Sequence, residues 1–262
     1  MNYIVIPAYQ PDNKLIKLIE KIHEKSDFRI LIIDDGSSSK CQNIFDKAEQ
    51  YATVLRHQVN QGKGQALKTA FDYIQQQNSY GTVVTADADG QHKIWDIFRT
   101  ANKASENPNK LILGVRAFTG KVPLRSRFGN SLTKALFKLQ TGVGVTDTQT
   151  GLRAFTTNLI PFMLKIEGQR YEYEMNMLFE ATKEYQILEV PIETVYINDN
   201  EGSHFRPIRD GLMIYKNIFK FALSSLSSFV VDYLVYAIAI LFLPTAPTSF
   251  RIFLANGLAR VT

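Results

Sequence analysis

Thr82-Val83-Val84-Thr85-Ala86-Asp87-Ala88-Asp89-Gly90-Gln91-His92 is the stretch on which the reading of this chain turns. Four β-branched residues favour a strand, and two carboxylates follow two positions apart, ahead of a glycine that allows a tight turn. Asp87 and Asp89 at a strand end can both be directed at one hard cation, and Gln91 can add a neutral oxygen. A metal held there would bridge diphosphate oxygens and stabilise charge on a departing nucleotide, which bare carboxylates would repel. A solvated acidic turn has the same local pattern, so the stretch acquires meaning from its surroundings.

Working outward, Tyr3–Ile6, Arg29–Ile33, Thr53–Arg56 and Leu111–Val115 are further short β-rich runs, most of them separated by segments of helical periodicity. Leu15, Ile16, Leu18, Ile19 and Ile22 share one helical face, and Ala66, Leu67, Ala70, Phe71 and Ile74 repeat that pattern. The alternation predicts an α/β fold, a mainly parallel sheet flanked by helices. Ligands of such sheets bind beyond the carboxyl ends of the strands, where two more signals lie. Ile32-Ile33-Asp34-Asp35-Gly36-Ser37 ends a strand in paired acids, one of which can accept hydrogen bonds from a base or ribose; the same pattern also suits a turn or helix cap. Asn60-Gln61-Gly62-Lys63-Gly64-Gln65-Ala66 opens a helix whose N–H groups can face a phosphate or ribose, although it lacks the spacing of a Walker loop. After about residue 140 the pattern loosens, with helices expected at Asn158–Lys165 and Tyr171–Lys183 and a strand at Ile187–Val195, a half expected to shape the acceptor side.

The 262 residues, 45% hydrophobic, suffice for one large domain with an appendage. A charge of +5 suits anionic partners without choosing among them. The lone Cys41 excludes an internal disulfide and reads as a packing residue. His23, His57 and His92 lack ligand spacing, which argues against zinc. Met1-Asn2-Tyr3-Ile4-Val5-Ile6-Pro7 has no signal-peptide pattern, so the first domain is expected on the cytoplasmic side.

Toward the other end, Ile208, Leu212, Tyr215 and Phe219 share a face opposite Arg206, Arg209, Lys216 and Lys220, which predicts an interfacial helix over 207–223. Phe221 to Leu243 holds one ionisable residue, Asp232, and is long enough to cross a membrane. A buried soluble helix is the alternative for that run. The basic residues ahead of the span favour a cytoplasmic catalytic face. A second apolar stretch begins at Phe250 and stops at Thr262, short of a full span. The expected division is therefore 1–206, 207–223 and 224–262.

The succession Ile6-Pro7-Ala8-Tyr9, Ile33-Asp34-Asp35-Gly36-Ser37, Gly62-Lys63-Gly64 and Asp87-Ala88-Asp89-Gly90-Gln91-His92 resembles family 2 glycosyltransferases, in particular the dolichyl- and polyprenyl-phosphate sugar synthases. The resemblance covers roughly residues 1–210 and implies a GT-A fold. It assigns Pro7, Tyr9, Ile33, Asp35, Lys63, Ala86, Asp87 and Arg116 to the nucleotide-sugar. Asp87, Asp89 and Gln91 are assigned to Mg2+ or Mn2+. Asp89 and Asp147 become the candidates for the chemistry, Asp147 by orienting the acceptor within Asp147-Thr148-Gln149-Thr150-Gly151-Leu152-Arg153. Arg153, His204 and Arg206 are the candidate acceptor or phosphate contacts. Glu172 and Glu174 lie near a further family motif. The tail from about Ser224 resembles the start of a small membrane domain proposed to help flip lipid-linked sugars.

The chain departs from the pattern twice: Pro11 stands where many members have an acid, and Asn198 and His204 stand where they have an Arg/Lys pair. Arg206 or Arg209 can supply the missing phosphate contact, and an arginine at a membrane surface is the competing reading. The implied partners are a nucleotide-sugar, an undecaprenyl or dolichyl phosphate and membrane lipid. A homo-oligomer is left open, and no nucleic acid is implied. A processive transferase is disfavoured because Gln-x-x-Arg-Trp is absent and Trp95 is the single tryptophan. A catalytically idle sugar-nucleotide binder, and a transferase acting on a glycan or protein, stay as alternatives.

Overall fold

The computed structural model describes residues 1–116, 133–135, 137–193, 223–224, 226–238 and 249. The chain divides into two compact units, Met1–Arg206 and Pro207–Thr262. In the first, the order is β1 (Tyr3–Ala8), α1 (Asn13–Lys25), β2 (Arg29–Asp34), α2 (Gln42–Ala48), β3 (Thr53–Arg56), α3 (Lys63–Gln76), β4 (Thr82–Thr85), α4 (Ile94–Glu106), β5 (Lys110–Arg116), β6 (Arg153–Thr156), α5 (Ile160–Lys165), α6 (Glu172–Glu184) and β7 (Gln186–Ile192). The strands form one sheet ordered β3-β2-β1-β4-β6-β5-β7. β6 runs antiparallel to both neighbours and the other pairings are parallel, so the expected mainly parallel sheet is found.

The apolar periodicity placed the helices correctly because it is what docks them. Leu15, Leu18, Ile19 and Ile22 of α1 are buried with Ile4 and Ile6 of β1 and Ile30 and Ile32 of β2 in one core. Asp12 starts that helix by accepting the Lys14 N–H at 2.7 Å. Ile19 has no exposed surface, and its truncation to alanine would cost about 3 kcal/mol. On α3, Ala66, Leu67, Ala70, Phe71 and Ile74 are all buried, with Phe71 edge-on to Phe155 of β6 at 5.3 Å between ring centres. Cys41 packs in the same core as α1.

β6 had no sequence signal. It is four residues long and starts with an arginine, yet all four side chains are buried, because it is inserted between β4 and β5 by tertiary pairing. Thr85 of β4 pairs with Arg153 and Val83 with Phe155. The helix expected at Asn158–Lys165 begins as a 3-10 turn and becomes α5 at Ile160, where Pro161 occupies its first turn. The last strand runs Gln186–Ile192, and residues 194 and 195 of the expected strand lie outside the described residues.

The interfacial helix expected over 207–223 lies outside the described residues except for position 223. Of the span expected over 221–243, residues 226–238 are helical without interruption. Among the described residues no helix is long and apolar enough to cross a membrane. The run 226–238 spans about 20 Å at the helical rise. It exposes Leu226, Phe229, Tyr233, Leu234 and Ile238.

Candidate active site

The carboxyl ends of β1, β2 and β4 carry the polar residues singled out above. At the end of β2, Asp34 accepts the Ser37 N–H at 2.9 Å and thereby closes the turn. Asp35 is 3% exposed and takes three hydrogen bonds, from His57 Nδ1 at 2.8 Å, Gln61 N at 2.9 Å and Gly62 N at 2.8 Å. The carboxylate can only accept, so the His57 proton on this side sits on Nδ1. His57 Nε2 in turn meets Thr69 Oγ1 of α3 at 2.9 Å. Asp35 thus fastens the Gly62-Lys63-Gly64 turn to the sheet. The turn is closed from its other side by the 169–173 loop: Gln65 N donates to Gln169 O at 2.8 Å, and a Cβ on Gly62 (φ +104°) would come within 2.5 Å of Gln169 O.

Lys63, the first residue of α3, is aimed by this clamp. Its ammonium lies 2.8 Å from Asp87 Oδ1 and 2.9 Å from Glu174 Oε2 of α6. Asp87 Oδ2 faces His92 Nε2 at 3.3 Å. A Cβ on Gly151 would fall 2.5 Å from Asp87 Oδ2, so the carboxylate rests directly on the glycine backbone. Asp89 turns back to accept the Gln91 N–H at 3.0 Å.

The electrostatics follow from these contacts. Burial opposes charge on both Asp87 and Lys63, but their attraction, with His92 and Glu174 contributing, wins. Asp87 is held far below the usual carboxylate range and Lys63 above the usual lysine value. Asp89 goes the other way: burial first, and then the like charge of Asp87, push its carboxyl up against weaker help from the Gln91 N–H, His92 and Lys63.

At the end of β5, Arg116 and Asp147 form a two-pronged pair, Nε to Oδ2 at 2.6 Å and Nη2 to Oδ1 at 3.0 Å. Asp147 has no exposed surface and also accepts the Gln149 N–H at 3.1 Å. The resemblance sent these residues to opposite substrates, whereas the fold joins them in one ion pair. Arg153, an expected acceptor contact, is 1% exposed. Its guanidinium donates to Thr150 O at 3.0 Å and to Glu174 O. Its place is internal, against the Glu174 backbone.

Among the other expected residues, Tyr9 is exposed, whereas Ile33 and Ala86 are buried and offer a ligand only backbone. Pro7 lies in β1 in register with Ile33. His204 and Arg206, like Arg209, lie outside the described residues. Sequence reasoning gave no role to Gly151, and the link from Glu174 to Lys63 was invisible because it spans 111 positions (174 − 63). Glu172, two residues before it, closes the turn ahead of α6 by accepting the Gln169 and Arg170 N–H groups at 3.0 and 3.1 Å.

The donors present fit Mg2+ or Mn2+. Asp87 and Asp89 offer hard oxygens two residues apart at the end of β4, and burial, then the like charge of Asp87, disfavours an ionised Asp89 that a cation would stabilise. Among the described residues no group of three or more His, Cys, Asp or Glu side chains could hold a metal. Two carboxylates placed two residues apart are the protein's share of a site for a cation bound together with substrate phosphates.

A mainly parallel sheet with an acidic pair at its central strand end and a glycine-flanked lysine at a helix start is an α/β setting suited to phosphate-bearing ligands. Residues 3–163 match Glycosyl transferase family 2, and the chain belongs to that family. It is 28% identical over 215 residues to the UDP-N-acetylglucosamine–dolichyl-phosphate N-acetylglucosaminyltransferase of Methanococcus voltae, covering 74% of this chain and 85% of the relative. Identity to the undecaprenyl-phosphate 4-deoxy-4-formamido-L-arabinose transferase of Shewanella sediminis is 27% over 171 residues, or 62% of this chain and half of the relative. In fold it resembles glucosyl-3-phosphoglycerate synthase from Mycobacterium tuberculosis, solved with Mn2+, UDP-glucose and phosphoglyceric acid. The TM-score is 0.61 at 16% identity, over 86% of this chain and 79% of that one. The fold is accordingly GT-A-like, and the chain is a family 2 glycosyltransferase related to polyprenyl-phosphate sugar transferases.

Proposed function

We propose that this protein transfers a sugar, with inversion, from a UDP- or GDP-sugar to an undecaprenyl or dolichyl phosphate, and that it requires Mg2+ or Mn2+. The observation that carries this reading is the Asp87 carboxylate, seated on the Gly151 backbone at the end of β4 and gripped by Lys63. An anion fixed so firmly, with a second carboxylate two residues on, is a mount for a diphosphate-bound cation. The names of the Methanococcus and Shewanella relatives support the lipid phosphate as acceptor.

In this reading Asp87, Asp89 and Gln91 hold the cation, which when bound neutralises the donor diphosphate. Lys63 adds positive charge at the N-terminus of α3, where the helix dipole also favours an anion. Arg116, held by Asp147, presents its guanidinium at the end of β5 for a phosphate. A lipid phosphate is already ionised near neutral pH, so the acceptor requires alignment rather than deprotonation. The buried Asp147 meets that need as a positioning residue for Arg116. The C-terminal unit, with the exposed apolar face of 226–238 and the basic residues before it, attaches the enzyme to the membrane with its catalytic unit on the cytoplasmic side. His204 and Arg206 serve the lipid phosphate there.

The test incubates membranes containing the protein with polyprenyl phosphate, Mg2+ or Mn2+ and a panel of UDP- and GDP-sugars, following chloroform-extractable sugar. One donor is expected to label the lipid, with the signal lost in EDTA and in Asp89→Ala. Nucleotide binding with no lipid labelling from any donor would move the acceptor to another class.

A further inference from the structure

Lys63 stands midway between two carboxylates, 2.8 Å from Asp87 and 2.9 Å from Glu174, and it is largely buried there. Its neighbours differ in what they can give up. Asp87 cannot retreat toward Gly151, which lies against both carboxylate oxygens. The Lys63 backbone cannot retreat either, since Gly62 N is held by Asp35 and both flanking glycines are walled in by residues 169–173. The four-carbon lysine stem is the movable part. Glu174 offers it somewhere to go: its second oxygen, Oε1, is buried with no hydrogen-bond partner among the described residues, an acceptor left open beside an ammonium.

We infer that Lys63 is an exchangeable counter-ion, which holds Asp87 while the site is empty and withdraws onto Glu174 when a divalent cation arrives with the donor. This rests on the metal-dependent transferase reading above. Charge arithmetic points the same way. Among the described residues Asp87, Asp89 and Glu174 stand near Lys63 and Arg153, three negative groups against two positive with the His92 ring beside Asp87 counted as neutral. A divalent cation added to that set leaves one net positive charge, which the donor diphosphate can meet. Without Glu174 the same step would leave two, with an ammonium and a metal facing each other across Asp87. Glu174 is thus a positioning residue whose partner is Lys63, and the empty site is built to bind bare metal weakly and metal with donor well.

The test is Mn2+ binding to the purified full chain without nucleotide, read from the electron paramagnetic resonance of the free ion. The proteins are the parent, Lys63→Met, Glu174→Gln and the double variant, with thermal melts as the folding check. Removing the competing ammonium in Lys63→Met is expected to tighten Mn2+ binding about tenfold, and removing its retreat in Glu174→Gln to weaken it about tenfold. In the Lys63→Met background Glu174→Gln should change affinity less than about threefold, because no ammonium remains to be received. An unchanged or weaker affinity in Lys63→Met, or an equal effect of Glu174→Gln in both backgrounds, overturns the exchange. If Lys63→Met does not fold, Lys63→Arg serves: its planar fork should grip both carboxylates and bind Mn2+ more weakly than the parent, and equal or tighter binding overturns the inference. Asp89→Asn separates the two levels. Binding lost in Asp89→Asn but indifferent to Lys63 sinks the exchange alone. Failure of the parent to bind Mn2+ even with UDP or GDP removes the metal-dependent reading and the exchange together.

Discussion

Two acidic turns end strands on either side of β1, Asp34-Asp35-Gly36 after β2 and Asp87-Ala88-Asp89-Gly90 after β4. Their glycines adopt nearly the same backbone, φ +71° and +72°. Their carboxylates are used differently. Asp35 is held by two backbone N–H groups and a histidine that is itself anchored to Thr69. Asp87 is held by the ends of two side chains, Lys63 and His92. Backbone donors fixed by a sheet and a helix cannot be displaced without unfolding the turn, whereas a lysine stem can swing away. The first turn is a fastener and the second is a mount, and the first aims the lysine that guards the second.

The largest test of this division pairs activity with stability. Asp89→Ala should lower sugar transfer about a thousandfold or more, with little change in melting temperature. Asp35→Ala should instead cost about 3 kcal/mol, or roughly 10 °C in melting temperature. A normal melting curve for Asp35→Ala together with lost nucleotide binding would break the comparison. Gly151→Ala sharpens it: the added methyl has to displace the Asp87 carboxylate, and transfer should fall about a hundredfold. Unchanged kinetics would mean that Asp87 does not depend on its glycine seat.

Smaller effects belong to the β5 end. Arg116→Met and Asp147→Asn are each expected to reduce transfer about thirtyfold, and the double variant should be no worse than either, since the two act as one unit. Additive losses would return Asp147 to an independent role at the acceptor. The smallest effect concerns Asp89 and pH. Its carboxyl is pushed up in the folded protein, so ionised Asp89 costs stability above the ordinary aspartate value and nothing below it. In metal-free buffer Asp89→Asn should therefore raise the melting temperature by about 2 °C at pH 7. That gain should disappear as the pH falls toward 4. A gain independent of pH would locate the strain elsewhere.

Much of this molecule was written in local sequence. The first five strands, the packing faces of α1 and α3 and the acids at the ends of β2 and β4 follow from β-branched runs, 3.6-residue periodicity and turn glycines, each a property of neighbours along the chain. The family resemblance likewise rested on four short motifs in order. Three decisive features came from tertiary structure. β6 owes its existence to the gap between β4 and β5, because four residues led by an arginine carry no periodicity of their own. Burial put Asp147 against Arg116 and Arg153 in the interior, since side-chain exposure depends on what packs above. The bond from Lys63 to Asp87 and Glu174 joins three elements far apart in sequence. Local chemistry determines which residue types stand at a strand end, but whether a carboxylate there is fixed or exchangeable depends on donors brought by distant segments.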